Sequence, residues 1–170
     1  VASAGTKAPH YILRTRAFSM IPTRRDLHFN LKPSSVRDWH AQGPYVTQFI
    51  NAMSIFFPDG ERYFIHTVRH YRNRITEPVL KEAVIAFIGQ EAMHGREHEI
   101  YNRFLERAGL PAKKLEAHAA RFLEWLKTTL PPVAQLSVTV AQEHFTAILA
   151  ELVLTDPGLI DGADRPLTAL

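Results

Sequence analysis

Two carboxylates in this sequence stand inside apolar stretches of helical period. Glu91 follows Ala83-Val84-Ile85-Ala86-Phe87-Ile88, and Glu143 sits between Val138-Thr139-Val140-Ala141 and Phe145-Thr146-Ala147-Ile148-Leu149-Ala150. Burying an ionised carboxylate without a partner costs about several kcal/mol, more than one neighbouring aliphatic side chain returns. Each therefore needs a compensating cation, and a metal ion is one candidate. Glu91-x-x-His94 adds an imidazole donor. At about 100° per residue, His94 lies roughly 60° round the helix from Glu91 and His98 returns to within about 20° of it, so the three share one face. Glu97, turned about 120° away by the same geometry, is expected in solvent.

Further carboxylates come from other segments. Glu61 stands 30 residues before Glu91, and Glu143 stands 52 residues after it. Helical bundles that hold two metals take a Glu from each of two helices and a Glu-x-x-His from each of the other two. The order here is Glu, then Glu-x-x-His, then Glu, which makes Glu61, Glu91, His94, His98 and Glu143 the candidate metal ligands. The chain has no cysteine, so thiolate zinc sites, iron–sulfur clusters, disulfides and a cysteine nucleophile are excluded. Ser137 and Thr139 have no His/Asp partner at suggestive spacing, and a serine-type hydrolase finds no support. His10, His28, His40, His66, His70 and His118 read as surface or satisfied core residues. His144 projects about 100° from Glu143, which suits a supporting role better than ligation. Glu151 reads as an ion-paired helix end.

The elements that must position these residues are all helical. Pro9, Pro22 and Pro33 interrupt a segment without period, read as an extended basic arm over residues 1–33, with a helical domain over 34–170. A first helix is expected from Tyr45 to Phe57, broken or kinked at Pro58-Asp59-Gly60, with a second from about Glu61 to Ile75. Thr76 is the expected N-cap of a helix of about 30 residues, closed by Gly109, a length typical of bundles. Another runs from Pro111 to near Leu130, and Pro131-Pro132 separates it from an apolar helix over Val133 to Leu154. The β-branched Val138, Thr139 and Val140 lie within this longer pattern, so no strand is expected. The expected fold class is an all-α, ferritin-like helical bundle.

At Phe57-Pro58-Asp59-Gly60-Glu61-Arg62, at Ile88-Gly89-Gln90-Glu91-Ala92-Met93-His94 with His98, and at Glu143-His144-Phe145-Thr146, the sequence resembles a ferritin-like bacterial family of predicted metal-dependent hydrolases. The resemblance runs from about Tyr45 to Glu151. The second Glu-x-x-His expected of a two-metal bundle is absent after Glu143. Equal hairpin spacing places it about 30 to 35 residues beyond Glu143, so the protein is expected to continue past Leu170.

Hard oxygen donors with imidazole suit iron or manganese, with zinc as a further option. The leading expectation is a di-iron or di-manganese enzyme that activates dioxygen to oxidise a small apolar or amphipathic substrate. A two-metal hydrolase is the alternative, and a metal-storing or structural bundle without turnover is a third. The net charge of +3 and pI near 9.3 raise nucleic-acid binding. However, Arg62, Arg69, Arg72 and Arg74 read as a solvated helix face, although Arg62 could pair with a site carboxylate, and no nucleic-acid partner is expected. No apolar run approaches the roughly 20 residues of a membrane span, and no signal pattern opens the chain. A cytoplasmic protein able to form a homo-oligomer is expected.

Overall fold

The computed structural model describes residues 36–156, 158 and 161–163, together with Ile21, Pro22 and Asp26. The remainder of the expected basic arm over 1–33 lies outside the described residues. Four α-helices follow in order: α1 (Pro44–Tyr71), α2 (Pro78–Arg107), α3 (Ala112–Thr129) and α4 (Pro132–Thr155), with a 3₁₀ turn at Arg72–Arg74 after α1. Among the described residues there is no strand, only an isolated bridge between His40 and Ala163. No described helix is long and apolar enough to cross a membrane. The chain is an all-α helical bundle.

The expected break at Pro58 does not occur, and α1 runs through it as one helix of 28 residues. Proline lacks the N–H that would bond the carbonyl four residues back, here that of Ser54. That carbonyl instead accepts from Asn102 Nδ2 on α2 at 3.0 Å, so a neighbouring helix supplies the missing donor. Pro58 itself is buried. The N-cap of α2 is Glu77 rather than Thr76: its carboxylate accepts from the backbone N–H of Val79 and Leu80. A carboxylate there offers two acceptors to the free N–H groups and favourable charge at the positive helix end. Gly109, at φ +77°, ends α2 in the left-handed region that glycine enters without strain.

Helix α1 is the shared element, packing against α2, α3 and α4. One core cluster joins Val36, Ile55, Tyr101, Leu105 and Ala112, and another joins Tyr63, Phe64 and Leu126. Buried polar pairs fix the helix registers. Asn51 on α1 donates to the Val36 carbonyl at 2.7 Å and accepts from the Tyr101 hydroxyl of α2 at 2.5 Å. Thr67 donates to the Phe64 carbonyl, so the 2.7 Å contact with Thr139 is donated by Thr139. Tyr63 donates to the Gln135 carbonyl at 3.3 Å. Thr139 lies one turn before Glu143, so these contacts set where that carboxylate enters the bundle.

Helix α4 is largely apolar, yet its buried residues are the polar Gln135 and Thr139. Val133, Val140, Phe145 and Leu154 are exposed. Val138 packs on the Tyr63, Phe64 and Leu126 cluster, but the fully buried contacts with α1 are made by the Thr139 hydroxyl and the Gln135 carbonyl, and much of the hydrocarbon faces outward, unlike an ordinary surface helix.

Candidate metal centre

Glu61 on α1 and Glu91 and His94 on α2 converge at one place. Each offers a donor atom within 4.8 Å of the other two. Glu61 and Glu91 are buried, whereas the His94 side chain is 49% exposed, which puts the cluster at an edge of the bundle with one imidazole on the solvent side. His94 Nδ1 stands 3.7 Å from Glu91 Oε1. Gly95 leaves room for the Glu61 carboxylate: a Cβ there would meet Glu61 Oε2 at 2.8 Å.

The electrostatics of the cluster are those of buried acids brought together, with only a partial offset of Glu61 from Arg62. Burial, then repulsion from Glu91 and Glu143, pushes the Glu61 carboxyl up to about 9. Burial, then repulsion from Glu143, pushes Glu91 up to about 8. Burial also raises Glu143. Arg62 is the adjacent guanidinium, but it does not pair with a site carboxylate. Its Nη1 meets Glu99 at 2.7 Å and its Nη2 meets Asp59 at 2.8 Å. Two nearby acids outside the cluster capture it, leaving Glu61 Oε2 buried with no hydrogen-bond partner among the described residues. Arg69, Arg72 and Arg74 are exposed, in keeping with a solvated face.

The remaining predicted ligands stand differently. Glu143 comes close enough to act electrostatically on both Glu61 and Glu91, but it does not join the close group of donors. His98 lies one turn beyond His94 and stacks on Phe57 at 4.4 Å between ring centroids. Its Nδ1 meets Ser54 Oγ at 2.9 Å. Burial, then the neighbouring His94, lowers His98 to about 4, and burial also lowers His94. Both rings are therefore ready to act as neutral donors at neutral pH.

Two expectations for the flanking residues fail. Glu97 is buried rather than solvated, and accepts from Arg96 at 2.8 Å, while Arg96 also reaches Asp26 at 2.6 Å. The chain at Asp26 lies against that side of α2, a tertiary contact that helical period cannot foresee. His144 and Glu151 are exposed, and Glu151 has no ion pair among the described residues. Sequence reasoning also missed Ser54, Asn102 and Gly95. A serine four residues before a helical proline was the available signal for the first two.

These donors fit a divalent cation. Two ligand atoms on opposite sides of one ion stand about 4.2–4.4 Å apart, twice a bond length of about 2.1–2.2 Å. Small side-chain rotations would therefore close the cluster. The orphaned Glu61 oxygen, the raised carboxyls and the absence of sulfur all match a hard or borderline metal.

A cavity of about 570 Å³ lies between α1, α3 and α4. It is lined mainly by hydrocarbon, with His118, Gln142 and Thr146 as polar points. None of the clustered acids lines it, but Phe57 and Gly60 do. Phe57 thus contacts both this cavity and His98.

A helical bundle with a carboxylate/imidazole cluster of this kind is the setting of a metal-dependent protein. The chain matches, over residues 23–170, the family model described as "Predicted metal-dependent hydrolase", and it belongs to that family. No curated protein and no solved structure matches it.

Proposed function

We propose that this chain is a metal-dependent enzyme in which Glu61, Glu91 and His94 hold a divalent cation, with Glu143 and His98 bordering it as ligands of a second. The observation that carries this is the gathering of Glu61, Glu91 and Glu143, none of which forms an ion pair with a guanidinium or ammonium among the described residues; Arg62, which lowers the Glu61 carboxyl from nearby, is held by Asp59 and Glu99. Such an arrangement is costly unless the acids stay protonated or share a cation. Iron or manganese suits the donor set, and zinc is also compatible.

A bound redox metal supplies dioxygen activation, whereas a redox-inert one supplies a water of lowered pKa. The protein's part is the same in both cases. Glu61 and Glu91 give up their protons as the cation enters, Gly95 leaves room for the Glu61 carboxylate, and α4 brings the charge of Glu143 to bear on both acids. The apolar cavity behind Phe57 takes the hydrocarbon part of a small substrate. Its scarcity of polar groups favours oxidation of an apolar or amphipathic molecule in a ferritin-like di-iron or di-manganese centre. Family membership favours the second reading, hydrolysis.

The test begins with metal analysis of protein purified without chelators, followed by Fe²⁺, Mn²⁺ and Zn²⁺ titration. Oxygen uptake by the Fe²⁺ form, with near-ultraviolet absorption of an oxo-bridged pair, supports oxidation. Ester or phosphoester cleavage by the Zn²⁺ or Mn²⁺ form, without oxygen uptake, supports hydrolysis. Binding of none of these ions at micromolar concentration would sink both.

A further inference from the structure

A chain of hydrogen bonds, buried at its centre and partly buried at its ends, leads from α3 to His98, and it fixes the donor at each link. Asn102 Nδ2 donates to Glu116 Oε1 and to the Ser54 carbonyl, each at 3.0 Å. Both partners can only accept from it, so the amide is fixed with Nδ2 toward them and Oδ1 toward Ser54. An amide oxygen only accepts. The Ser54 hydroxyl must then donate its single hydrogen to Asn102 Oδ1, at 2.9 Å. With that hydrogen used, the remaining contact of Ser54 Oγ, to His98 Nδ1 at 2.9 Å, can form only if the imidazole donates. Ser54 and Asn102 are both buried, so water does not replace these partners cheaply. The stack on Phe57 fixes the plane of the ring.

We infer that Glu116, Asn102 and Ser54 are positioning residues that hold His98 as the tautomer protonated at Nδ1, leaving the Nε2 lone pair as its one free donor to a metal or a proton. The origin of the chain is Pro58. By removing the helical N–H that would occupy the Ser54 carbonyl, it leaves that carbonyl to Asn102. Proline inside α1 thus has a consequence at an imidazole on α2. The part of the inference that concerns metal rests on the function proposed above. The tautomer itself does not.

The experiment is a long-range ¹H–¹⁵N correlation spectrum of the metal-free full chain, carrying ¹⁵N-labelled histidine, at neutral pH. The His98 signals are identified by their loss in His98→Gln. The expected result is a protonated Nδ1 and an unprotonated, pyridine-like Nε2. Ser54→Ala should shift the population toward the other tautomer and weaken Mn²⁺ binding about 10- to 100-fold, the usual consequence of removing a partner of a ligating histidine. Ser54→Thr, which keeps the hydroxyl, should restore both. A wild-type His98 protonated at Nε2 overturns the inference even if Ser54→Ala fails to fold, as does an unchanged tautomer in a folded Ser54→Ala. If the spectra are as expected and the wild type binds no Mn²⁺, the proposed centre fails and the tautomer assignment stands.

Discussion

The Ser54 carbonyl, left without its helical partner by Pro58, is bonded by Asn102 Nδ2 at 3.0 Å. A defect in one helix is thereby filled by the next, and the two substitutions that expose this are coupled. Asn102→Leu leaves the Ser54 carbonyl without a partner and the Ser54 hydroxyl with His98 alone, and should destabilise the fold by about 1–3 kcal/mol, the cost of an orphaned buried polar group. In a Pro58→Ala background the new N–H of residue 58 can bond the same carbonyl. The cost of Asn102→Leu should then fall by about 1–2 kcal/mol, measured as a double-mutant cycle in urea. Strict additivity would show that Pro58 and Asn102 are not linked in this way.

Gly95→Ala separates stability from metal binding. Alanine favours a helix interior over glycine by about 0.5–1 kcal/mol, but its Cβ would meet Glu61 Oε2 at 2.8 Å. The acid must swing aside. The metal-free variant should unfold within about 1 kcal/mol of the wild type, while its Mn²⁺ affinity drops at least about tenfold, the lower end of the effect of disturbing a ligand's support. Equal affinity by calorimetry would place the cation away from Glu61.

The raised carboxyls give the metal-free protein a pH dependence of defined sign. Glu61 at about 9 and Glu91 at about 8 bind protons more tightly in the folded chain than the ordinary value of 4.5 allows. Between these limits the folded state carries more protons than the unfolded one, so stability falls as pH rises. Their contribution is complete below about pH 4.5 and is lost as pH passes through 8 to 9. Glu61→Gln should flatten this decline and stabilise the metal-free protein by about 1–3 kcal/mol at pH 9, where one buried charge no longer has to form. Metal binding should run the other way, tightening as pH rises because the cation displaces those protons. Denaturation midpoints at pH 6, 7.5 and 9, with and without Mn²⁺, decide both signs.

The helices were legible from period and punctuation because Gly109 and the Pro131-Pro132 pair act locally. Pro58 was misread because its missing donor is replaced from α2, information that a single helix does not contain. Among the candidate ligands, Glu91 and His94 follow from helical geometry alone, and Glu61 joins them only because Gly95 admits it. Glu97 shows the limit of the same geometry, since it is buried on a side that period leaves in solvent, beside the Arg96 that also holds Asp26.

Glu143 tests whether the centre has a hierarchy. It acts electrostatically on Glu61 and Glu91, yet Glu61, Glu91 and His94 close on one another without it. The first cation should therefore depend on those three, with Glu143 contributing mainly charge and a second position. Glu61→Gln removes an anionic donor from the close group and should abolish tight binding. Glu143→Gln should keep one tightly bound ion and weaken or remove any second. It should also lower the proton affinity of Glu91, for which Glu143 is the charged neighbour that raises it. Stoichiometry by elemental analysis, together with the pH dependence of the first binding step by calorimetry, resolves the two effects. If Glu143→Gln abolishes the first ion as completely as Glu61→Gln does, the acids form one shared site with no order of filling.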